Sequence, residues 1–302
     1  MSAMNEPVDR QYALLLRLLF DADAREQLQG DPEGLLSEVG LSGDDAAPFR
    51  DVDAAGLAID AELRRRYLMS AMCRAYPQTA GAIGAAPGGG ERLAAFLASP
   101  AMMGSLAERS QAFGDHLARL LTLNDTAVDR FMGAFLAFER GLVDTAARVR
   151  AAVEAGEPAP APERYAPDRV ARGYPTLSSF ITIVQLPCSP AVLEVALEHA
   201  GPEDVWRRIA SGSLDINRVK SVARAAPAPV TIAARGFARG HASARAGGGA
   251  ALIDVSHVTV ELAGLQAARL AEFDGSRGTA ELPPADRALA EKLLNAGILQ
   301  LL

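Results

Sequence analysis

Cysteine is almost missing from this chain: its 302 residues include two, Cys73 and Cys188. Neither has a Cys-x-x-Cys partner, so no disulfide framework or thiolate metal knuckle is encoded, and a reducing cytoplasm is the expected location. Each is expected as a small buried hydrophobe. Histidine is also scarce. His116, His199, His241 and His257 are scattered, no two close in sequence, whereas a metal site normally needs three or four ligands. His257 is expected as a surface or packed side chain. No apolar run reaches the roughly 18 residues that a membrane span requires. The best early candidate, Tyr12–Phe20, is broken by Arg17 and followed by Asp21 and Asp23. The start of the chain has no basic segment or small-residue cleavage site, so no signal peptide is expected. Gly-x-Ser-x-Gly and P-loop motifs are absent. The glycines at 81, 84 and 88–90 follow a helical segment, not a strand, so they read as a loop and not as a dinucleotide cradle.

What is present is ordinary globular sequence, 49% hydrophobic and 22% charged, with enough length for two domains. Charge is uneven: residues 1–168 carry a net −9 and residues 169–302 a net +2. Between 205 and 245, Arg207, Arg208, Arg218, Lys220, Arg224, Arg235, Arg239 and Arg245 face Asp215 alone. Such an excess can attract an acidic partner over about one Debye length, or it can be a solvated surface. Paired carboxylates such as Asp44-Asp45 and Glu203-Asp204 sit at helix starts, where the helix dipole favours them.

The first half predicts helix after helix. Val8–Asp21 places Tyr12, Leu15, Leu16, Leu19 and Phe20 at helical spacing. Asp31-Pro32 and Ser99-Pro100 are cap-plus-proline starts. Asp53 opens a long helix to Tyr76 with a stripe of Leu63, Tyr67, Met72 and Tyr76. Asn124-Asp125 caps a last helix through Phe131, Phe135 and Phe138 to about Val153, with the aromatic stripe in a bundle core. The Gly156–Glu163 segment, half glycine and proline, predicts an extended linker. Beyond it the pattern changes. Phe180–Leu186 and Val230–Arg235 are β-branched strands, Ala251–Val260 contains one or two more, and Pro190–Glu198 and Glu203–Ser211 read as helices. Gly240–Gly249 is a small-residue loop. Trp206 is expected in a core or domain interface.

The tail predicts strand, helix, sharp turn at Asp274-Gly275, short helix, helix over Pro283–Asn295, glycine stop and apolar strand. That order fits a winged-helix-like module, which binds a nucleic-acid groove or a peptide. The last helix carries Arg287 and Lys292 against Asp286 and Glu291. It is neutral and lacks the side chains that read base edges, so nucleic acid is the less suitable partner. A DNA-binding transcriptional regulator remains the alternative. A peptide reader needs an open sheet edge beside a groove, and Val230–Arg235 and Ala251–Val260 supply candidate strands.

Three stretches resemble a known family. Ala61–Gly84, with its Arg-Arg-Arg-Tyr and Tyr76-Pro77, and Ala134–Ala146, with Glu139 and Gly141, resemble helical accessory proteins that accompany multinuclear non-haem iron-dependent oxidases. Glu272–Leu282 resembles the turn of peptide-recognising winged helices in the biosynthesis of ribosomally made, modified peptides; Pro283-Pro284 departs from that pattern. Leu28–Leu41 resembles the small helical subunit of ring-cleaving dioxygenases, another accessory role. The main resemblance implies a non-enzymatic partner subunit with no cofactor of its own, the iron lying in the oxidase. The element pattern gives an α + (α+β) fold, a helical bundle over 1–155, a Pro-rich linker over 156–168 and a winged-helix-like domain over 169–302; the resemblance implies that the bundle docks the oxidase and the last domain binds a leader peptide. The partners would be the oxidase and a ribosomal precursor peptide whose cysteine is modified. The expected peptide contacts are Ile232, Arg235 and Arg239 near a sheet edge, and Arg287 and Lys292 on the neighbouring helix.

Overall fold

The computed structural model describes residues 6–121, 126–157, 165–198, 201–225, 228–239 and 254–302. The chain is mostly helical, with small antiparallel sheets toward its C-terminal end. In order come α1 (Glu6–Phe20), α2 (Ala22–Gly30), α3 (Pro32–Glu38), α4 (Ala47–Arg50), α5 (Ala54–Ala75), α6 (Pro77–Gly84), α7 (Gly89–Ala94), α8 (Leu106–Leu120), α9 (Thr126–Glu154) and α10 (Pro167–Arg172). Then follow β1 (Pro175–Leu177), β2 (Ile181–Leu186), α11 (Pro190–Leu197), α12 (Val205–Ala210), α13 (Ile216–Arg224), β3 (Val230–Arg239), β4 (Asp254–Leu262), α14 (Gly264–Ala268), α15 (Pro284–Asn295) and β5 (Leu299–Leu301). Among the described residues, no helix is long and apolar enough to cross a membrane.

The chain divides into two compact units, but not at the Pro-rich segment. One unit comprises Met1–Leu120 with His199–Leu214, and the other Leu121–Glu198 with Asp215–Leu302. Helix α9, expected in the N-terminal bundle, thus belongs with the sheet, because its small and hydroxylated face at Gly141 and Thr145 fits the strands. Residues 158–164 of the expected linker, the Asn124-Asp125 cap, the Gly240–Gly249 loop and Ala251–Ile253 lie outside the described residues.

In the first unit, several helix starts follow from side-chain caps. Asp31 accepts from Gly34 N at 2.9 Å and Asp53 from Ala55 N at 3.0 Å. Leu14 and Leu18 of α1 pack with Leu28, Leu35, Leu36 and Phe49. The buried edge of α1 is therefore Leu14–Leu18–Leu19, while the predicted face members Tyr12 and Leu15 are exposed. A second nucleus is aromatic: Phe113 meets Tyr76 and Phe96 edge-on at 5.9 and 5.0 Å, the geometry that ring quadrupoles favour. The glycine cluster serves packing. A methyl group at Gly84 would lie 2.4 Å from Ile209 Cγ1, so glycine lets α12 approach α6.

In the second unit, β2, β3 and β4 form an antiparallel sheet in that spatial order, and β1 pairs with β5. Helix α9 covers one sheet face. Thr182 Oγ1 donates to Gly141 O at 2.9 Å and lies 2.8 Å from Thr145 Oγ1. A methyl at Gly141 would fall 2.4 Å from Thr182 Cγ2, and one at Gly236 2.8 Å from Thr145 Cγ2. Glycine on both partners brings helix and sheet together. The opposite face carries Ala233, Val260 and Leu262, which pack with Leu270, Phe273, Leu282, Leu289, Leu293, Leu294 and Ile298 of the C-terminal segment.

That segment follows the expected order of elements. Asp274 Oδ1 accepts from Ser276 N at 2.8 Å, and Gly275 takes φ +80, a turn that asparagine-type side chains and glycine favour. After α15, Gly297 sits at φ +73. Its N–H reaches Leu294 O at 2.9 Å, and Ile298 N–H reaches Leu293 O at 2.8 Å. This left-handed stop turns the chain into β5.

Candidate peptide-binding edge

Of the five expected contact residues, three lie on β3, the central strand. Ile232 is 1% exposed and pairs with Val184 on one side and Glu261 on the other. It cannot meet an added strand, because both backbone edges of β3 are already taken. The expectation that it sits near a sheet edge is corrected by this strand order. Arg235 is likewise an internal clamp. It is 6% exposed, donates from Nη1 to Gly297 O at 2.5 Å, and stacks its guanidinium 4.7 Å from the Phe237 ring centroid. Ser178 Oγ also donates to Gly297 O, at 3.1 Å. A charge-assisted bond to a buried carbonyl uses this arginine to hold the glycine stop against the sheet. Arg239 ends the strand opposite Asp254; its side chain lies outside the described residues.

The two residues on α15 are exposed. Arg287 Nη2 donates to Ala280 O and Leu282 O at 2.8 and 3.3 Å. Lys292 Nζ reaches Glu261 O at 3.4 Å. Only Lys292 therefore stands beside a strand end, and that strand is β4. The basic run at 205–245 is divided between the two units. Arg207 is ion-paired with Asp204, and Arg218 with Glu198.

Among the described residues, the edge strands of this three-stranded sheet are β2 and β4. Gly236 N donates to Phe180 O at 3.1 Å, which sets the alternation: even-numbered β3 residues bond toward β2 and odd-numbered ones toward β4. With the register Arg235↔Val258 and Ala233↔Val260, Val258 and Val260 bond inward, while Val255, His257, Thr259 and Glu261 turn their N–H and C=O groups outward. Glu261 O meets Lys292 there, as this alternation requires. Among the described residues, no hydrogen bond occupies the outward backbone groups of Val255, His257 or Thr259. On β2 the same alternation turns Ile181, Ile183 and Gln185 outward.

Side chains at this edge are partly committed. His257 Nε2 lies 3.0 Å from Leu142 O on α9. Burial holds its imidazole below the usual value, opposed by the Leu142 carbonyl and reinforced by Arg150. Glu261 accepts from Ser189 Oγ. Cys188, buried close by, has its thiol pushed up to about 11, first by burial and then by the charge of Glu261. A thiol so protonated is a poor nucleophile. Among the described residues, no group of three or more His, Cys, Asp or Glu side chains is placed to hold a metal ion.

Comparison with protein-family models, curated proteins and solved structures finds no match. Of the two strands the sequence offers as a peptide-accepting edge, Val230–Arg235 is central, and the second falls in the segment of β4 at the edge; alternation shows a strand without showing its neighbours.

Proposed function

We propose that this chain binds a peptide as an added strand along β4, and that it serves as the non-catalytic partner subunit of a multinuclear non-haem iron-dependent oxidase. In this reading the bound segment is the leader of a ribosomally made precursor. Its cysteine is presented to the oxidase, and the iron belongs to that enzyme. The observation that carries peptide binding is the outward backbone of Val255–Thr259, a ready template for three or more main-chain hydrogen bonds. Helix α15 brings Lys292 to the end of this edge, and the C-terminal segment packs on the sheet that carries it. The oxidase half rests on the resemblance of Ala61–Gly84, Ala134–Ala146 and Glu272–Leu282 to accessory subunits. DNA is the weaker reading, since Arg287 and Lys292 of α15 both bond to the chain's own carbonyls.

The test pairs two proline substitutions. Thr259→Pro removes an outward N–H on β4, and Ile183→Pro removes one on β2; edge strands tolerate proline where the N–H faces away from the ladder. Binding of a fluorescent leader peptide should weaken at least about tenfold in Thr259→Pro and stay unchanged in Ile183→Pro. The reverse pattern moves the site to β2, and no effect of either removes strand addition. Co-purification with the oxidase tests the second half: no complex at micromolar concentration overturns it.

A further inference from the structure

The sequence places Leu63 and Tyr67 on the apolar stripe of α5, and the structure leaves both exposed. Ile59, Leu63 and Tyr67 are 68%, 61% and 76% exposed. They follow one another at four-residue spacing and so form one stripe. Every residue from 62 to 67 is exposed. Three large apolar side chains in water on one stripe mark an interaction surface.

The charges beside the stripe say what fits it. With Leu63 at the centre and about 100° per residue, Asp60 and Arg64 fall on one flank, and Glu62 and Arg66 on the other. Each flank carries one acid and one base, already joined along the helix: Arg64–Asp60 at 2.7 Å and Arg66–Glu62 at 2.9 Å. Now set a second α5 against the first, antiparallel about a twofold axis through Leu63. The axis keeps each flank beside its own copy and reverses the order of its charges. Asp60 then lies about 3 Å along the axis from Arg64 of the other copy, and Glu62 the same distance from Arg66 of the other copy, from the helical rise of about 1.5 Å per residue. Arg64 is as close to Arg64 of the other copy, and Glu62 to Glu62, so each flank sets two opposite-charge pairs against one like-charge pair. Ile59 meets Tyr67, and Leu63 meets itself. In a parallel pair the balance reverses: Asp60 would face Glu62 and Arg64 would face Arg66, against the single opposite-charge pair Arg64–Glu62 at that spacing.

We infer that the stripe Ile59–Leu63–Tyr67 is a self-association surface, on which two copies of this chain pair through antiparallel α5 helices. The apolar positions are self-complementary and the charges on balance favour the antiparallel order, which suits an isologous twofold contact. This inference does not depend on the proposed peptide binding. A contact of about three helical turns lies at the small end of specific interfaces, so the dimer should form with a Kd of about 10–100 μM.

Sedimentation velocity on the full chain, from about 1 to 200 μM so as to bracket that Kd, reads the result. The wild type should shift from monomer to dimer. Leu63→Arg places two like charges on the axis and should weaken association at least about tenfold. Arg64→Asp alone should also weaken it, by opposing Asp60 of the other copy, whereas the double exchange Asp60→Arg with Arg64→Asp should restore it. That restoration separates a dimer contact from damage to the helix, and circular dichroism of each variant confirms the fold. A monomer throughout the range, or a dimer indifferent to Leu63→Arg, overturns the inference. A monomer whose binding to the oxidase is lost in Leu63→Arg also overturns it, by assigning the stripe to that enzyme.

Discussion

Removing the guanidinium of Arg269 leaves a buried carboxylate without its partner. Asp286, in the first turn of α15, is 4% exposed at its side chain, and Arg269 Nη1 lies 2.6 and 2.5 Å from its two oxygens. Breaking a fully buried pair by deleting one member costs about 3–5 kcal/mol. Here the arginine is 44% exposed, so water can enter its place, and the helix N-terminus still favours the charge by up to about 1 kcal/mol. Arg269→Ala should therefore cost about 1.5–2.5 kcal/mol after this discount for exposure. Asp286→Ala should cost about 1–2 kcal/mol, because the freed arginine regains water. The double variant should fall short of the sum by about 1–2 kcal/mol, the coupling of a pair in direct contact. Urea unfolding at constant m gives the three values. Trp206 belongs to the other unit, so the transition should be followed by far-ultraviolet circular dichroism or by amide exchange in α15. Single effects that add to within about 0.5 kcal/mol would show that the pair is solvent-shared, and would refute the reasoning.

Three further outcomes follow. His116 and His257 both have imidazoles lowered chiefly by burial, so the unfolded chain binds protons there more readily than the folded one. Their contribution to stability is complete above the unfolded value of about 6.5 and declines as pH falls from there toward the folded values. Urea midpoints at pH 7.5 and 5.5 should differ less in His257→Asn than in the wild type, and equal differences would contradict this. Cys188, 1% exposed with a raised thiol, and Cys73, fully buried, should react with a thiol reagent only on the timescale of unfolding; rapid modification of the folded chain would contradict the burial. Gly236→Ala should destabilise by about 1–3 kcal/mol through overpacking, since its methyl would lie 2.8 Å from Thr145 Cγ2. The companion change Thr145→Ser removes that methyl and should recover part of the loss, as read by thermal unfolding.

Local chemistry was legible where the chain punctuates itself. Asp31-Pro32 opens a helix with the expected cap, Phe180–Leu186 reads as the strand that forms over Ile181–Leu186, and Gly297 stops α15; Ser99-Pro100 opens only a 3-10 turn over Pro100–Met103, without a side-chain cap. Long-range partners were not legible. Strand order depends on contacts remote in sequence, so Val230–Arg235 could be identified as a strand but not as the central one. The helix stripe of Leu63, Tyr67, Met72 and Tyr76 carries the right period, yet the first two are exposed and the last two buried. Periodicity locates an apolar face without saying what covers it. Composition also misplaced the boundary: the Pro-rich segment looks like a hinge, whereas α9 before it and β2 after it pack on one another through Gly141 and Thr182.

The return of His199–Leu214 to the first unit bears on how the chain is made. During synthesis the N-terminal helices emerge first, but their unit lacks α12 until residue 214 has been added. By then α9, β1, β2 and α11 are already outside, waiting for β3 and β4. Domains usually fold one after another as they leave the ribosome. Here neither unit can finish before the other has begun, so a stop, nick or fusion placed at the Pro-rich segment would strand both.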